Sequence, residues 1–272
     1  MKTTKIIIAG MGGQGVQVLG KILGQAAAQN GLAASYIPLF GVEQRGAPSV
    51  AYIIINDTQV RYPLFKTADW ALILHPRATD VVANHISQKT KVIFDSSLMA
   101  PPMINKKPAE LLGLPATKLA NEKFFIKAAN LIILGKIARE LGLPENLIWQ
   151  ETETVMSKKL KNEKTKDKSR SAITWGYKIT LEINNFSLPS FQPKKGVINL
   201  KGADKHGWLI PERCKGCGIC LAKCPAGAVK FSAHTGSFAT SLPEIDLTKC
   251  TACGNCFLFC PDGAIKIEKD KK

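Results

Sequence analysis

The chain has 272 residues, of which 45% are apolar, 21% charged and 7% aromatic, and it carries a formal charge of +16. This is room for one large domain or two ordinary ones, and it excludes disordered, collagen-like and disulfide-miniprotein chains. The positive charge points first to nucleic acid or an anionic surface, but the eight cysteines, all between Cys214 and Cys260, point elsewhere.

Read in chain order, residues 5–9 form a short β-branched run that predicts a strand. Residues 16–29 predict a helix, with Val16, Leu19, Leu23 and Ala27 on one face. Apolar runs at 50–55, 71–74 and 92–94 predict buried strands, with a helix around 79–88 between the last two. Residues 130–141 predict another helix, stopped by Gly142. Alternating strands and helices predict an α/β domain over residues 1–183, with a Rossmann-like parallel sheet covered on both faces. The stretch 157–170 carries seven basic and two acidic side chains and reads as a solvated helix face or loop. Residues 173–183 return to the first domain, and 184–205, with Pro189, Pro193, Gly196 and Gly202, read as a linker.

Residues 206–272 carry the sharpest signal. A shift of 36 residues superimposes the four cysteines of 211–231 on those of 247–267, together with the following proline and the Gly-Ala beyond it. Each copy is C-x2-C-x2-C-x3-C-P, the spacing of bacterial two-cluster ferredoxins, in which the fourth cysteine ligates the other cluster. The ligands are therefore Cys214, Cys217, Cys220 and Cys260 for one [4Fe-4S] cluster, and Cys250, Cys253, Cys256 and Cys224 for the second. Pro225 and Pro261 turn the chain, and Gly216, Gly218 and Gly254 let N–H groups approach sulfur. Paired zinc sites or disulfides fit less well, because zinc has no use for the third closely spaced cysteine. The fold expected here is a small α+β two-cluster ferredoxin domain, which moves single electrons.

After the first strand comes Gly10-Met11-Gly12-Gly13-Gln14-Gly15. This is G-x-G-x-x-G between strand and helix, suited to a phosphate. A nicotinamide site also needs an acid about 20 residues on, and residues 35–40 contain none. A ligand-free tight turn is the other reading of the loop.

The loop, with Phe40-Gly41-Val42-Glu43-Gln44-Arg45-Gly46-Ala47, Asp95-Ser96-Ser97 and the run 130–135, resembles the gamma subunit of 2-oxoacid:ferredoxin oxidoreductases over residues 1–183. The C-terminal part resembles the delta subunit of the same enzymes, so the chain looks like a gamma–delta fusion. The resemblance implies a subunit without catalytic residues of its own, working with alpha and beta subunits that hold thiamine diphosphate and Mg. It implies coenzyme A near Gly12, Gly13, Gln14, Gly15 and Lys21, with Arg45 as a second contact, and electron transfer to an external ferredoxin. The resemblance implies a 2-oxoacid substrate and leaves pyruvate, 2-oxoglutarate and a branched-chain 2-oxoacid open. A free-standing electron carrier and an NAD- or flavin-linked reductase are the rival readings.

A nucleic-acid partner is not expected, because the first domain has no stripe of aromatic and basic residues. Nor is a membrane span, because no apolar run reaches about 18 residues. The early Ile6-Ile7-Ile8 run ends in the glycine-rich turn with no small-residue cleavage site, so the chain reads as cytoplasmic with reduced cysteines. His75, His85, His206 and His234 are scattered, Trp70 and Trp149 read as packing, and Lys223 and Lys230 as exposed.

Overall fold

The computed structural model describes residues 3–40, 47–99, 101–102, 107–125, 127–180, 194–237 and 240–270. The chain divides into two compact units at Phe191/Gln192.

The first unit is built on a six-stranded sheet. Its elements are β1 (Thr3–Met11), α1 (Val16–Gln29), β2 (Ala33–Phe40), β3 (Pro48–Asn56), β4 (Trp70–Ile73), a 3-10 turn at Pro76–Ala78, α2 (Thr79–Ala83), β5 (Lys91–Asp95), β6 (Glu110–Leu114), α3 (Ala116–Lys123), α4 (Ala129–Glu140), α5 (Glu145–Val155) and α6 (Glu163–Lys178). The strand order is β2-β3-β1-β4-β5-β6. β1 is central and, from Ile6 onward, buried on both faces, which is why its sequence reads there as a continuous apolar run. Ile6 and Ile8 point into the core beneath α1, α4, α5 and α6. Ile7 and Ala9 point to the opposite core, with Phe65, Val82 and Met99.

β1, β4, β5 and β6 are parallel, as the alternating pattern predicts. β3 departs from it: it runs antiparallel to both β1 and β2. The reason lies in the connection. Only residues 41–47 separate β2 from β3, and a link this short joins antiparallel neighbours, whereas parallel ones need a crossover of a dozen or more residues. Pro38 is tolerated in β2 because that strand is the sheet edge. The helix expected at 79–88 is shorter: α2 covers only Thr79–Ala83, and the 3-10 turn precedes it.

Two local devices fix the helices. α3 begins at Pro115 without a cap of its own. Asp95, at the end of β5, accepts from Thr117 N (3.0 Å), Thr117 Oγ1 (2.6 Å) and Ser97 N (3.0 Å), and Ser97 Oγ accepts from Lys118 N (3.0 Å). The Asp95-Ser96-Ser97 segment is therefore a helix cap supplied from a neighbouring strand. Burial nonetheless pushes the Asp95 carboxyl above its ordinary range, against these hydrogen bonds. The second device is a glycine crossing. A Cβ on Gly135 would lie 2.1 Å from Ile173 O, and one on Gly176 would lie 2.0 Å from Ile132 O, so α4 and α6 meet backbone to backbone.

The basic stretch 157–170 forms a turn and the first half of α6. Asn162 caps that helix by accepting from Thr165 N at 2.7 Å; Lys166 pairs with Glu163 at 3.2 Å and Lys168 donates to Phe124 O at 3.4 Å, while the other lysines of the stretch are exposed.

The second unit contains β7 (Ile198–Lys201), β8 (Lys205–Leu209), α7 (Ile219–Ala222), β9 (Val229–Thr235), β10 (Ser241–Ile245), α8 (Asn255–Leu258) and β11 (Ile265–Lys269). The 36-residue repeat maps β8 onto β10 and α7 onto α8 end for end. The halves exchange strands: β8 pairs with β11 and β9 with β10. β7 corrects the reading of 184–205 as a linker. Ile198 and Leu200 alternate onto the small core around Leu209, so this part belongs to the second unit. Residues 184–193 lie outside the described residues.

Candidate functional site

The eight cysteines line two small cavities. Cys214, Cys217, Cys220 and Cys260 surround the first, with Phe231, Pro243 and Ile265. Cys224, Cys250, Cys253 and Cys256 surround the second, with Val229, Ile245 and Ile267. Each cavity thus takes three cysteines from one repeat and its fourth from the other. This crossing follows from the strand exchange that carries each Cys-Pro turn to the opposite half.

The Cys-Pro-x-Gly-Ala turn has a role that sequence reading left unexplained. Gly227 and Gly263 take φ of 58° and 52°. Their N–H groups bond back to Cys224 O and Cys260 O at 3.3 and 3.2 Å. The following alanine N–H then faces sulfur: Ala228 N donates to Cys224 Sγ at 3.3 Å and Ala264 N to Cys260 Sγ at 3.2 Å. Gly216 donates to Cys214 as expected from its position. Gly218 and Gly254 start α7 and α8 with φ of 78°.

Burial, reinforced by the neighbouring cysteines, raises three of the thiols. Burial pushes the Cys214 thiol up to about 11, and neighbouring Cys260 and Cys217 add to this. Cys220 is pushed up to about 12 by burial and by Cys214, Cys217 and Cys260. Cys256 is raised by burial and by Cys250 and Cys253. Among the described residues, no group of three or more His, Cys, Asp or Glu closes on a single metal ion. Four soft donors set around a volume rather than a point fit an iron–sulfur cluster better than zinc.

The glycine loop lies where the sheet order switches from β3 to β4 on either side of β1, the usual ligand crevice of open α/β sheets. Gly12 N donates to Ala47 O at 2.8 Å and Gln14 N to Met11 O at 3.0 Å. The Gln14 side chain is committed internally: Oε1 accepts from Met11 N at 2.8 Å and Nε2 donates to Leu74 O at 3.1 Å. It therefore pins the loop to the ends of β1 and β4. Gly13 (φ 103°) is open to solvent, while Gly15 (φ 82°) is covered by Asn130, whose Nδ2 would lie 2.1 Å from an added Cβ. α1 starts at Gly15 without a side-chain cap or an acidic residue in its first turn. Its positive end thus faces the crevice uncompensated. Lys21 stands exposed on the second turn of α1, and helical side chains lean toward the N-terminus. Arg45 lies outside the described residues.

The same region argues against a dinucleotide. In that fold the acid that holds the ribose ends the parallel strand beside β1. Here the neighbour is antiparallel β3, and its starting residues Pro48 and Ser49 pair with Met11 and Gly10. His75 caps the 3-10 turn by accepting from Arg77 N at 3.2 Å.

Comparison with known proteins agrees with this geometry. Residues 5–179 match the pyruvate ferredoxin/flavodoxin oxidoreductase family, and residues 213–264 match a 4Fe-4S dicluster domain. The 2-oxoglutarate synthase subunit KorC of Archaeoglobus fulgidus is 31% identical over 181 residues, 66% of this chain and 91% of that protein. The ketoisovalerate oxidoreductase subunit VorA of Methanothermobacter thermautotrophicus is 32% identical over 139 residues, 51% of this chain, which spans 28% of that protein. A solved 2-oxoglutarate:ferredoxin oxidoreductase from Magnetococcus marinus, with 2-oxoglutarate, coenzyme A and succinyl-CoA bound, shares the fold (TM-score 0.56, 20% identity, 74% of this chain and 35% of that one).

Proposed function

The chain belongs to the pyruvate ferredoxin/flavodoxin oxidoreductase family, and from that membership we propose that it is the fused gamma–delta subunit of a 2-oxoacid:ferredoxin oxidoreductase. In this reading, separate alpha and beta subunits hold thiamine diphosphate and Mg and oxidatively decarboxylate a 2-oxoacid to acyl-CoA. The loop Gly12, Gly13, Gln14 and Gly15, with Lys21 and Arg45, holds the coenzyme A phosphates beside that partner site. Cys214, Cys217, Cys220 and Cys260 hold one [4Fe-4S] cluster, and Cys224, Cys250, Cys253 and Cys256 hold the other. When bound, these clusters supply one-electron relay from the partner subunits to an external ferredoxin. The subunit works in the cytoplasm, where thiols stay reduced; no helix among the described residues is long and apolar enough to cross a membrane.

The observation that carries the reading is the pair of four-cysteine cavities in a chain whose other unit has the gamma-type fold. Support for coenzyme A comes from the open positive end of α1 and from the ligand present in the Magnetococcus marinus enzyme.

The test uses the assembled enzyme, assayed with pyruvate, 2-oxoglutarate and 2-oxoisovalerate. Cys217→Ala and Cys253→Ala should each lower the iron content and collapse ferredoxin reduction, while exchange of CO2 into substrate partly survives. Full ferredoxin reduction by either variant would end the relay reading.

A further inference from the structure

Three consecutive large apolar side chains stand exposed on the second unit: Phe257 (39%), Leu258 (73%) and Phe259 (47%). They fill the interval between Cys256, which lines one cavity, and Cys260, which lines the other. No point on this surface is further than two residues along the chain from a cysteine of one cavity or the other.

The duplication shows that packing does not demand these residues. Under the 36-residue shift, Phe257, Leu258 and Phe259 correspond to Leu221, Ala222 and Lys223. The first repeat builds the same turn of helix with Leu-Ala-Lys, in which Ala222 and Lys223 are exposed. In the second copy a small residue and a charged one are replaced by the large apolar Leu258 and Phe259.

Two lysines stand at the rim of the patch, Lys223 and Lys266, the second paired with Glu268 at 2.7 Å. Lys223 Nζ lies 5.1 Å from the Phe259 ring centroid, and Lys266 Nζ lies 5.5 Å from that of Phe257. Asn255 Nδ2 donates to Lys223 O at 3.3 Å and ties this lysine to α8. Trp208 meets Phe257 edge-on at 6.3 Å and backs the patch from β8.

An apolar centre with a cationic rim fits a partner with an apolar centre and a carboxylate rim. Its extent decides between lasting and passing contact. Permanent subunit interfaces bury about 2,000 Å² or more, whereas redox encounters sit below about 1,200 Å². Three side chains suit the second.

We infer that Phe257, Leu258 and Phe259, with Lys223, form the docking surface for an acidic one-electron carrier protein. The inference rests on the relay reading above and adds where the acceptor sits. Each encounter oxidises this subunit by one electron and reduces the carrier by one. Two carriers therefore leave reduced for each 2-oxoacid oxidised, the substrate being the electron source.

The experiment uses the assembled enzyme with a purified acidic two-cluster ferredoxin as the probe, and compares wild type with Leu258→Glu, Leu258→Met and Lys223→Glu. Binding of the oxidised ferredoxin is measured by calorimetry at low and high salt. Iron content, subunit composition and reduction of a small viologen are measured alongside. Leu258→Glu and Lys223→Glu should each weaken ferredoxin binding on the order of tenfold. Lys223→Glu should also flatten the salt dependence, and Leu258→Met should bind as wild type. Iron content and viologen reduction should not change. Ferredoxin affinity unchanged in both glutamate variants would overturn the inference, as would loss of the partner subunits from Leu258→Glu, which would make the patch a subunit interface. Failure of the relay reading itself would look different: wild-type enzyme would lack iron or fail to reduce viologen.

Discussion

The α4–α6 crossing gives a prediction whose sign is decisive. In an exposed helix, replacing glycine by alanine stabilises by roughly 0.5–1 kcal/mol. At Gly176 the new Cβ would sit 2.0 Å from Ile132 O, when an ordinary contact needs about 3.5 Å. The obstacle is a backbone carbonyl, so no side-chain rotation relieves it. Gly135 forms the reciprocal contact with Ile173 O and blocks sliding along the axis. The helices must separate, pulling Ile132 away from Ile173, both buried at the junction. Overpacking of this kind costs up to about 3 kcal/mol; less the helix-propensity gain, about 2–2.5 kcal/mol remains. For a unit of this size that lowers Tm by about 4–10 °C. Thermal unfolding of the intact chain, followed by circular dichroism, measures it. Gly24→Ala is the control, because its Cβ would meet Tyr36 Cβ at an ordinary 3.6 Å, and its Tm should hold or rise. If Gly176→Ala melts at or above wild type, the backbone crossing is wrong.

Other variants probe the sites. Lys21→Ala in the assembled enzyme should raise KM for coenzyme A severalfold with little change in KM for the 2-oxoacid; equal coenzyme A dependence would remove Lys21 from the site. Gln14→Ala releases the loop from both Met11 N and Leu74 O. It should cost about 1–3 kcal/mol in urea unfolding and raise KM for coenzyme A as well, whereas a variant of wild-type stability would deny the pin. Asp95→Asn leaves one amide oxygen for the donors of Ser97 and Thr117 and should also cost about 1–3 kcal/mol. Its cost depends on pH. Because the folded carboxyl is raised, its protonated form stabilises the fold below the ordinary carboxylate range, and that contribution is lost as pH rises through the raised value. The gap between wild type and Asp95→Asn should therefore be widest in mild acid and narrower at neutral pH; urea titrations across that range would show it, and a gap growing with pH would contradict the assigned direction.

Most of the first unit was legible because its signals are local. The periodicity over residues 16–29 gives α1 to the residue, and the apolar runs give β1, β3, β4 and β5. What escaped was non-local. The direction of β3 depends on what lies between it and β2. The Asp95 cap joins residues 22 positions apart. The glycine crossing needs two helices facing each other, and nothing near Gly135 or Gly176 announces it. β7 was read as linker because proline and glycine surround a four-residue strand whose only apolar residues are Ile198 and Leu200.

The second unit is the reverse case, in which chain spacing carries a long-range fact. Three cysteines at steps of three can curl around one volume, and the fourth, beyond a proline turn, cannot rejoin them. A duplicated segment resolves this only if its halves trade their last cysteines, and trading cysteines requires trading strands. The pairing of β8 with β11 and of β9 with β10 is that requirement met in the backbone. It also means that neither repeat encloses a cavity alone: without the second half, Cys214, Cys217 and Cys220 lose Cys260, and β8 keeps β7 but loses β11. The repeat is thus one folding unit of two copies.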